Sequence, residues 1–542
     1  MGSYRTVQKA AAAAFFVFCA GTLAEARDAV VAKHFMVAAA HPLAAEAGYR
    51  ILEQGGSAVD AAIAVQLVLG LVEPESSGIG GGAFLLYWSQ AEKKLRSYDG
   101  RETAPAAARP DRFVKSGKPM EFMDAVVGGR SVGVPGALRM LELAHRRHGR
   151  LAWRELFTPA IELAERGFAL SPRLHAVLAE EKYLPSDPRA REIYYGKAVG
   201  SRIVNREYAD TLKAVAANGA NAFYEGQIAA DMVRAVRAHL KPGDLTLADI
   251  KAYRAQEREP VCGQYRVWRL CSMGPPSSGG VAVLQILGIL ERTRFAEAQA
   301  QSAQALHYFS EAGRLAYADR ARYLGDPDVV MIPVARLLSA GYLSQRAALI
   351  GERATGRALP GDNENGTSHF SIVEENGDAV AMTTTIESGF GSRIMVRGFL
   401  LNNELTDFDF VPGGPNQVGP RKRPRSSMAP TMVFDAEGRL QLLVGSPGGS
   451  AIINYVAKAL IGVLDWQLDI QQAIELPNVG SRNGPTQIER GSAYEALVPA
   501  LTERGHDVRL STLESGLHGI ERVPGGWRGG ADPRREGVAL GR

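Results

Sequence analysis

A predicted β-hairpin in the last third of the chain constrains the fold more than any other stretch of its 542 residues. The first strand is predicted over residues 368–374, where Phe370, Ile372 and Val373 are apolar, and the second over residues 379–385. The turn between them reads Glu-Asn-Gly-Asp, and Asn and Gly accept positive φ at little energetic cost. The sequence therefore predicts two antiparallel neighbours joined by a tight turn.

The register of this hairpin decides which side chains meet at its open end. A three-residue loop with Gly377 in the left-handed conformation sets Thr367 opposite Thr385, whereas a two-residue loop sets Ser368 there instead. Either register brings a second hydroxyl beside Thr367. A threonine hydroxyl is a poor nucleophile until a base takes its proton, and a freed α-amine, with a pKa of roughly 7.7–8.0, is such a base. An ordinary loop-to-strand junction is the alternative interpretation of the Gly366–Thr367 pair.

Length and composition exclude several classes of protein. The chain has 46% hydrophobic and 22% charged residues, which is typical of a globular protein and not of a disordered one. Its formal net charge of +4 is small for this length. No basic run with interleaved aromatic residues indicates a nucleic-acid binder, so we expect no nucleic-acid partner.

The N-terminus has the pattern of an export signal. Arg5 and Lys9 precede an apolar run over residues 10–20, and Leu-Ala-Glu-Ala at residues 23–26 offers an Ala-x-Ala cleavage site. The apolar run is shorter than the roughly 20 residues that a membrane-spanning helix needs. We expect residues 1–26 to be a signal peptide and the mature protein to be periplasmic or secreted, without a membrane anchor.

Two of the three cysteines lie in a second predicted hairpin. A turn centred between Arg266 and Val267 sets Cys262 opposite Cys271. An oxidising compartment would permit a cross-strand disulfide at this position. Two inert buried thiols are the alternative.

Two glycine-rich segments need separate interpretations. The segment at residues 78–82 lies between a buried helix predicted over residues 58–71 and a strand predicted over residues 83–88. A dinucleotide-binding loop needs strand, glycines and helix in that order, so we exclude one and attribute these glycines to close backbone packing. The segment at residues 445–450 leads from a strand into a helix predicted over residues 451–464. Its N–H groups suit a negative charge, with a plain strand-to-helix turn as the alternative.

Taken together, these motifs resemble the γ-glutamyltransferase family of N-terminal-nucleophile hydrolases. The matching segments stand in the family order, from Gly-Gly-Ser-Ala-Val-Asp-Ala-Ala at residues 55–62 to Gly-Ala-Asp-Pro-Arg-Arg at residues 530–535. The resemblance implies an α+β fold, a four-layer αββα sandwich, assembled from two subunits that one precursor forms by cutting itself. The cut is implied between Gly366 and Thr367. Residues 27–366 would then form the large subunit and residues 367–542 the small subunit, and the two would remain associated.

The resemblance also implies catalytic roles. Thr367 matches the nucleophile of both self-cleavage and turnover, and its freed amine matches the general base. Thr385 matches the second hydroxyl that bonds the nucleophile, in agreement with the hairpin registers. Gly448 and Gly449 match the oxyanion hole, whose N–H groups stabilise a tetrahedral intermediate. No metal or organic cofactor is implied, because the chain supplies nucleophile, base and oxyanion donors.

A zwitterionic γ-glutamyl head is the implied ligand. The residues that match the family's α-carboxylate site are Arg101, Ser426 and Ser427. Asp407 matches the acid that binds the α-amine. The implied reaction cleaves γ-glutamyl amides such as glutathione and passes the acyl group to water or to an amine or peptide acceptor.

Three departures from the family pattern keep alternatives open. Glu387 and Glu404 stand where many members have Asn and Gln near the α-amine. Arg425 replaces an apolar residue and would attract an acidic acyl group, and residues 409–423 are short for a lid, which predicts an open pocket. A cephalosporin or glutaryl acylase on the same fold is therefore the alternative, although Asp407 disfavours an acyl chain without an ammonium group. A binding protein that never cuts itself is a further alternative.

Overall fold

Two seven-stranded sheets, antiparallel throughout, form the centre of the protein. The structure is a computed structural model that describes residues 28–355 and 367–542. The predicted signal peptide and Gly366 lie outside these ranges.

The first sheet holds the predicted hairpin at its centre, and we call it the hairpin sheet. In spatial order its strands are Val538–Gly541, Met36–Ala39, Ser368–Val373, Ala379–Thr385, Gly82–Ser89, Lys94–Gly100 and Gln256–Arg258. Ser368 pairs with Thr384, and Gly377 has a φ of 88°. This is the register predicted for the three-residue loop, so that prediction is confirmed and the two-residue alternative is wrong.

The second sheet, which we call the partner sheet, carries the two cysteines at one edge. In spatial order its strands are Val30–Ala32, Gly526–Ala531, His518–Val523, Leu440–Gly445, Thr431–Phe434, Trp268–Ser272 and Val261–Tyr265. Cys262 and Cys271 lie directly opposite each other and form a disulfide, which is the first of the two predicted alternatives.

Apolar side chains between the two sheets hold them face to face. Trp88 of the hairpin sheet packs against Phe434 of the partner sheet, with ring centroids 4.7 Å apart. Both residues belong to a buried cluster drawn from both sheets, which also contains Met36, Leu443 and Ile520. Such burial of apolar area is the main favourable contribution to folding.

Helices cover the outer face of the hairpin sheet. The longer ones are Pro42–Glu53, Ala58–Val72, Ala137–His148, Thr158–Arg166, Pro172–Glu180, Arg206–Asn218 and Gly226–Ala238. All 15 residues of Ala58–Val72 are buried, as its apolar sequence predicts. A capping box starts this helix: the Ser57 hydroxyl accepts from the Asp60 N–H, and the Asp60 carboxylate accepts from the Ser57 N–H.

A second helical layer covers the partner sheet. Its helices are Gly279–Leu290, Ala303–Tyr323, Ala340–Ala347, Ile452–Leu464 and Ile470–Glu475. The two helical layers and the two sheets form the four-layer αββα sandwich, which confirms the predicted fold class. None of the described helices combines the length and apolar character that crossing a membrane requires.

Short elements complete the described ranges. The short α-helices are Phe122–Val126, Pro188–Tyr194, Asn221–Tyr224, Leu247–Ala252, Val334–Leu337 and Val498–Glu503. The 3-10 helices are Gly129–Ser131, Trp153–Phe157, Leu184–Ser186, Arg294–Glu297, Glu404–Asp407, Gly449–Ala451 and Ala493–Leu497. Three two-stranded ribbons pair Val114–Lys115 with Lys118–Pro119, Phe168–Ala169 with Arg202–Ile203, and Met395–Val396 with Phe399–Leu400. Val479–Ser481, Thr486–Glu489 and Val508–Ser511 form a small three-stranded sheet.

The glycines at residues 78–82 let the helical layer approach the end of the hairpin. A Cβ atom on Gly81 would stand 2.0 Å from the carbonyl oxygen of Thr385, and one on Gly80 would stand 2.1 Å from that of Leu400. Both are backbone atoms that cannot swing aside. Close packing is thus the reason for Gly80 and Gly81, as predicted.

We expect Gly81→Ala to destabilise the protein by roughly 1–3 kcal/mol, the range for overpacking a buried site. Gly78→Ala is the matched control, because a Cβ there meets only the Gly70 Cα at 3.8 Å. Thermal unfolding of both variants measures the difference. Equal unfolding temperatures would contradict a steric role for Gly81.

Candidate active site

Two threonine hydroxyls meet at the open end of the hairpin. Thr367 directly precedes the first strand and Thr385 ends the second, so the confirmed register brings them together. The Thr367 Oγ1 donates to the Thr385 Oγ1 over 3.3 Å, and the Glu387 N–H donates to the same Thr385 oxygen over 2.7 Å. Glu387 makes this bond with a φ of 78°, a strained conformation for a residue with a side chain.

The backbone beside Thr367 is also fixed. Arg535 Nη1 donates to the Thr367 carbonyl oxygen over 3.1 Å, and the next hydroxyl along the chain, Ser368 Oγ, donates to Glu73 Oε2 over 2.8 Å. Arg535 and Glu73 are buried and come from opposite ends of the chain. Thr367 is thus held at its carbonyl group and through its neighbouring side chain.

A buried arginine surrounded by acids forms the floor of the site. The Arg101 guanidinium, with 1% of its side chain exposed, forms ion pairs with Glu404 and Asp407. Its Nε also donates to the Pro424 carbonyl over 3.0 Å. Glu102 lies 3.9 Å from the same guanidinium. One cation therefore faces three carboxyl groups.

Burial raises the pKa values of these acids. Burial raises the pKa of Glu102 to about 8, and it raises the pKa of Glu404 well above its usual range although Arg101 acts in the opposite direction. Burial, with the nearby Asp407 charge, raises the pKa of Glu387 to about 7. Protons are therefore held in this cluster at neutral pH, which limits the net negative charge there.

Hydrogen bonds from Ser277, Ser278 and Arg320 hold the segment that contains the two predicted serines. The Ser278 N–H donates to the Ser426 carbonyl over 2.8 Å, and the Ser277 hydroxyl donates to the Met428 carbonyl over 2.5 Å. Arg320 Nη2 donates to the Ser427 Oγ over 2.7 Å. The sequence analysis did not predict these hydrogen bonds.

The glycine pair makes the turn between a strand of the partner sheet and the helix Ile452–Leu464. Gly448 has a φ of 131° and Gly449 a φ of 53°, conformations that favour glycine. A Cβ on Gly448 would also stand 2.5 Å from the Tyr455 ring. Gly449 lines the pocket that contains Thr367, whereas Gly448 is not among its lining residues.

All of the predicted catalytic and substrate-binding residues except Gly448 line one small pocket. Its lining residues are Arg101, Thr367, Thr385, Glu387, Glu404, Asp407, Ser426, Ser427, Met428, Gly449 and Ile452. Its volume is about 20 Å³, which is room for about one water molecule. The short segment at residues 409–423 predicted an open pocket, but the ion pairs of Arg101 fill much of this space. An acyl group would enter only if these side chains moved apart.

Arg425 has a different place from the one that the sequence suggested. Its guanidinium pairs with Asp409 over 3.2 Å and donates to the Leu324 carbonyl over 3.3 Å. It is 6% exposed and is not among the residues that line the pocket. The expectation that it attracts an acidic acyl group is therefore wrong, because its charge is used to hold two segments together.

The sequence analysis did not predict two buried asparagines that bond the acids of the site. Asn402 accepts from the N–H groups of Gly133 and Glu404, and Asn403 bonds Glu387 and accepts from the Ser388 N–H. Their position between the two predicted acids was the available signal. No group of three or more His, Cys, Asp or Glu side chains within residues 28–355 and 367–542 is arranged to hold a metal ion.

Known proteins resemble this chain over nearly its whole length. The family model for gamma-glutamyltranspeptidase matches residues 44–542. A Bacillus subtilis (strain 168) protein named glutathione hydrolase proenzyme is 35% identical over 548 residues, covering 95% of this chain and 93% of the relative. A Pseudomonas sp. (strain SE83) protein named acylase ACY 1 proenzyme is 36% identical over 513 residues, covering 92% of this chain and 91% of the relative.

A solved structure shares the whole architecture. The cephalosporin acylase from Bacillus halodurans matches with a TM-score of 0.85 at 28% identity, covering 95% of this chain and 97% of that chain. The chain is therefore similar to proteins named for different reactions. The fold alone does not choose between those reactions.

We expect Glu102→Gln to stabilise the protein increasingly as the pH rises. The pKa of Glu102 is raised to about 8 in the folded protein, whereas a free glutamate has a pKa of roughly 4.3. Between these values the unfolded chain loses a proton that the folded protein keeps, so the free energy of unfolding falls as the pH rises. The variant avoids this loss, and its advantage in unfolding temperature should grow between about pH 5 and about pH 8.

Glu503→Gln is the control for this experiment, because Glu503 is exposed. Its unfolding temperature should follow that of the wild type at every pH. A Glu102→Gln advantage that is constant across the pH range would contradict the titration of Glu102 in this window.

Proposed function

This chain belongs to the gamma-glutamyltranspeptidase family, and from this premise we propose that it is a self-processing γ-glutamyltransferase and hydrolase. The proposed precursor cuts itself between Gly366 and Thr367. The enzyme then cleaves γ-glutamyl amides such as glutathione and passes the γ-glutamyl group to water or to an amine or peptide acceptor. One observation above all supports this proposal. The paired hydroxyls of Thr367 and Thr385 lie in one pocket with an arginine and three acids.

Thr367 is the proposed nucleophile in both reactions. In self-cleavage its Oγ attacks the Gly366 carbonyl carbon, the Gly366–Thr367 C–N bond breaks, and the hydroxyl proton passes to the Thr367 nitrogen that leaves. Water then hydrolyses the resulting ester. In turnover the Oγ attacks the γ-carbonyl of the donor, its proton passes by way of the freed Thr367 amine to the leaving amine, and the C–N bond breaks. Water or an acceptor amine then attacks the acyl ester and restores the Thr367 hydroxyl. The hydrogen bond from Thr367 to Thr385 supports this role, because it orients the attacking oxygen.

Gly448 and Gly449 are proposed to stabilise the oxyanion of each tetrahedral intermediate. Their left-handed conformations turn the backbone at the start of the helix Ile452–Leu464, and Gly449 lines the same pocket as Thr367. N–H groups at a helix start favour negative charge. Removing one oxyanion donor typically lowers the rate by a factor on the order of 10²–10³.

The donor's α-carboxylate is proposed to bind Arg101, Ser426 and Ser427. Its α-ammonium group is proposed to bind the acids, which are Asp407, Glu387 and Glu404. The crowding of acids around Arg101 supports an ammonium ligand, because a cation compensates buried carboxylates that would otherwise be unfavourable.

A glutaryl or cephalosporin acylase is the second candidate function. The similarity to acylase ACY 1 and to the cephalosporin acylase structure favours it. A glutaryl group has no ammonium group, however, and would leave the acids near Asp407 without a cationic partner. The charges of the pocket therefore favour the γ-glutamyl donor.

The subunits are proposed to be residues 27–366 and 367–542, after removal of a signal peptide at residues 1–26. Each of the two sheets contains strands from both sides of the proposed cut, which supports subunits that stay associated. We propose a periplasmic or secreted location, which the disulfide between Cys262 and Cys271 supports, because such bonds persist in oxidising compartments.

Denaturing electrophoresis with N-terminal sequencing tests the self-cleavage. The purified protein should give two bands, and the smaller should begin Thr-Ser-His. Thr367→Ala should give one uncut band and no activity, because the attacking oxygen is gone. Thr502→Ala removes an exposed threonine hydroxyl and should cut normally. A cut at another residue, or cleavage of the Thr367→Ala variant, would disprove the proposed nucleophile.

The KM for a γ-glutamyl donor should rise as the pH falls through about 7. The pKa of Glu387 is raised to about 7, so this carboxyl group gains a proton below that pH and attracts the α-ammonium less. Glu387→Gln should give a KM on the order of tenfold higher at pH 8, as for loss of a hydrogen bond between charged groups, and a flatter pH profile.

Steady-state kinetics measure KM and kcat separately at each pH. The titration of Glu387 should change KM, whereas the titration of the Thr367 amine should change kcat. Glu503→Gln should keep the wild-type KM profile, because that residue is exposed. An unchanged pH dependence of KM in Glu387→Gln would contradict a role for Glu387 in binding the ammonium group.

A further inference from the structure

Arg320 lies behind the serine pair, in the last turn of the helix Ala303–Tyr323. Its Nη2 donates to the Ser427 Oγ over 2.7 Å, and its Nε donates to the Ser278 Oγ over 2.8 Å. Ser278 in turn donates through its hydroxyl to the Ser426 carbonyl over 2.5 Å. One guanidinium thus supports both serines of the pocket wall, although it does not itself line the pocket.

The charge of Arg320 is not neutralised within the described ranges. Three carboxyl groups lie within 4.0 Å of the Arg101 guanidinium, but none lies within 4.0 Å of the Arg320 guanidinium among residues 28–355 and 367–542. The neighbouring acid Asp319 pairs with Arg346 over 3.3 Å. The neighbouring cation Arg425 pairs with Asp409 over 3.2 Å. Arg320 is therefore the cation beside the serines whose charge is still available to a ligand.

The hydrogen bonds also decide how the serine hydroxyls point. The Ser427 Oγ accepts from Arg320, and the Ser426 Oγ accepts from the Met428 N–H over 3.1 Å. A hydroxyl group has a single proton, and an oxygen that already accepts an N–H is set to donate that proton elsewhere. The described residues give neither of these protons an acceptor, and Ser426 and Ser427 line the pocket. Both hydroxyls are thereby set as donors for a carboxylate in the pocket.

We propose that Arg320 is a positioning residue. It selects donors whose acyl chain carries a carboxylate at the end remote from the amide bond that is cleaved. It acts through Ser427 and Ser278, by holding the serine hydroxyls as donors and by adding a positive charge behind them. This inference rests on the proposed function, since it concerns the α-carboxylate of the same donor. It adds a second cation to the one predicted at Arg101.

Three p-nitroanilide donors test the recognition of the carboxylate and of the ammonium group separately. The γ-glutamyl donor has both the carboxylate and the ammonium group, the glutaryl donor keeps the carboxylate alone, and the 4-aminobutyryl donor keeps the ammonium group alone. For Arg320→Met we expect kcat/KM to fall roughly 10- to 100-fold on the first two donors, as for loss of a hydrogen bond to a charged group, with the 4-aminobutyryl donor unchanged. Arg320→Lys should restore part of the loss, because it keeps the charge.

Arg322→Met is the matched control. Arg322 lies on the same helix, is exposed and donates to the Tyr323 hydroxyl, so its removal should change none of the three rates. The extent of self-cleavage and the unfolding temperature show whether each variant is folded. Competitive inhibition by L-glutamate, glutarate and 4-aminobutyrate repeats the comparison where a donor is hydrolysed slowly.

An equal loss on all three donors and all three inhibitors would overturn the inference, since it would mean that Arg320 only supports the fold. A wild-type protein that cuts itself but cleaves none of the donors would instead remove the proposed function, and the inference with it. A selective loss on the carboxylate-bearing donors, partly restored by Arg320→Lys, would support both.

Discussion

The register of one central hairpin determines the rest of the site. Because side chains alternate along a strand, a shift of one residue would turn Thr385 to the other face of the sheet and away from Thr367. Gly377 fixes the loop in the left-handed conformation, and the neighbouring strands Met36–Ala39 and Gly82–Ser89 hold the hairpin from both sides. A mobile pair of hydroxyls would lose orientation, which is a large part of what a catalytic site provides. The centre of a seven-stranded sheet is therefore a suitable place for such a pair.

The acids around Arg101 show how the fold accommodates a charged site. Buried carboxylates are unfavourable unless they are paired, and one guanidinium cannot pair with all of them. The raised pKa values of Glu102, Glu387 and Glu404 follow from this imbalance, because holding a proton is the less unfavourable alternative to an unpaired charge. A ligand with an ammonium group would relieve the same imbalance. The same charge distribution thus favours a donor that carries an ammonium group.

Much of the fold could be predicted from the sequence, and so could most of the residues that line the pocket. The turn residues predicted the hairpin register, and continuous apolar sequence predicted the buried helix Ala58–Val72. The order of several motifs indicated the residues that the structure brings together in one pocket. Side-chain direction was not predictable, because it depends on contacts between distant segments. Arg425 turns to Asp409, and Arg320 reaches Ser427 across more than a hundred residues of sequence. Nothing near either residue in the chain signals its partner.

The similarity to proteins with different names follows from how the site is built. The paired threonines and the glycine turn belong to the sheets and to their connection to a helix, whereas an architecture by itself does not determine which reaction a site performs. Selection among donors depends instead on the side chains at the far end of the pocket. There the acids are proposed to bind the positive charge of the donor, and the serines supported by Arg320 are proposed to bind its negative charge. A donor with only one of the two charges leaves one set of buried groups unpaired, and unpaired buried groups discriminate more strongly than apolar contacts do. The proposed specificity for a zwitterion therefore needs no change in the paired threonines.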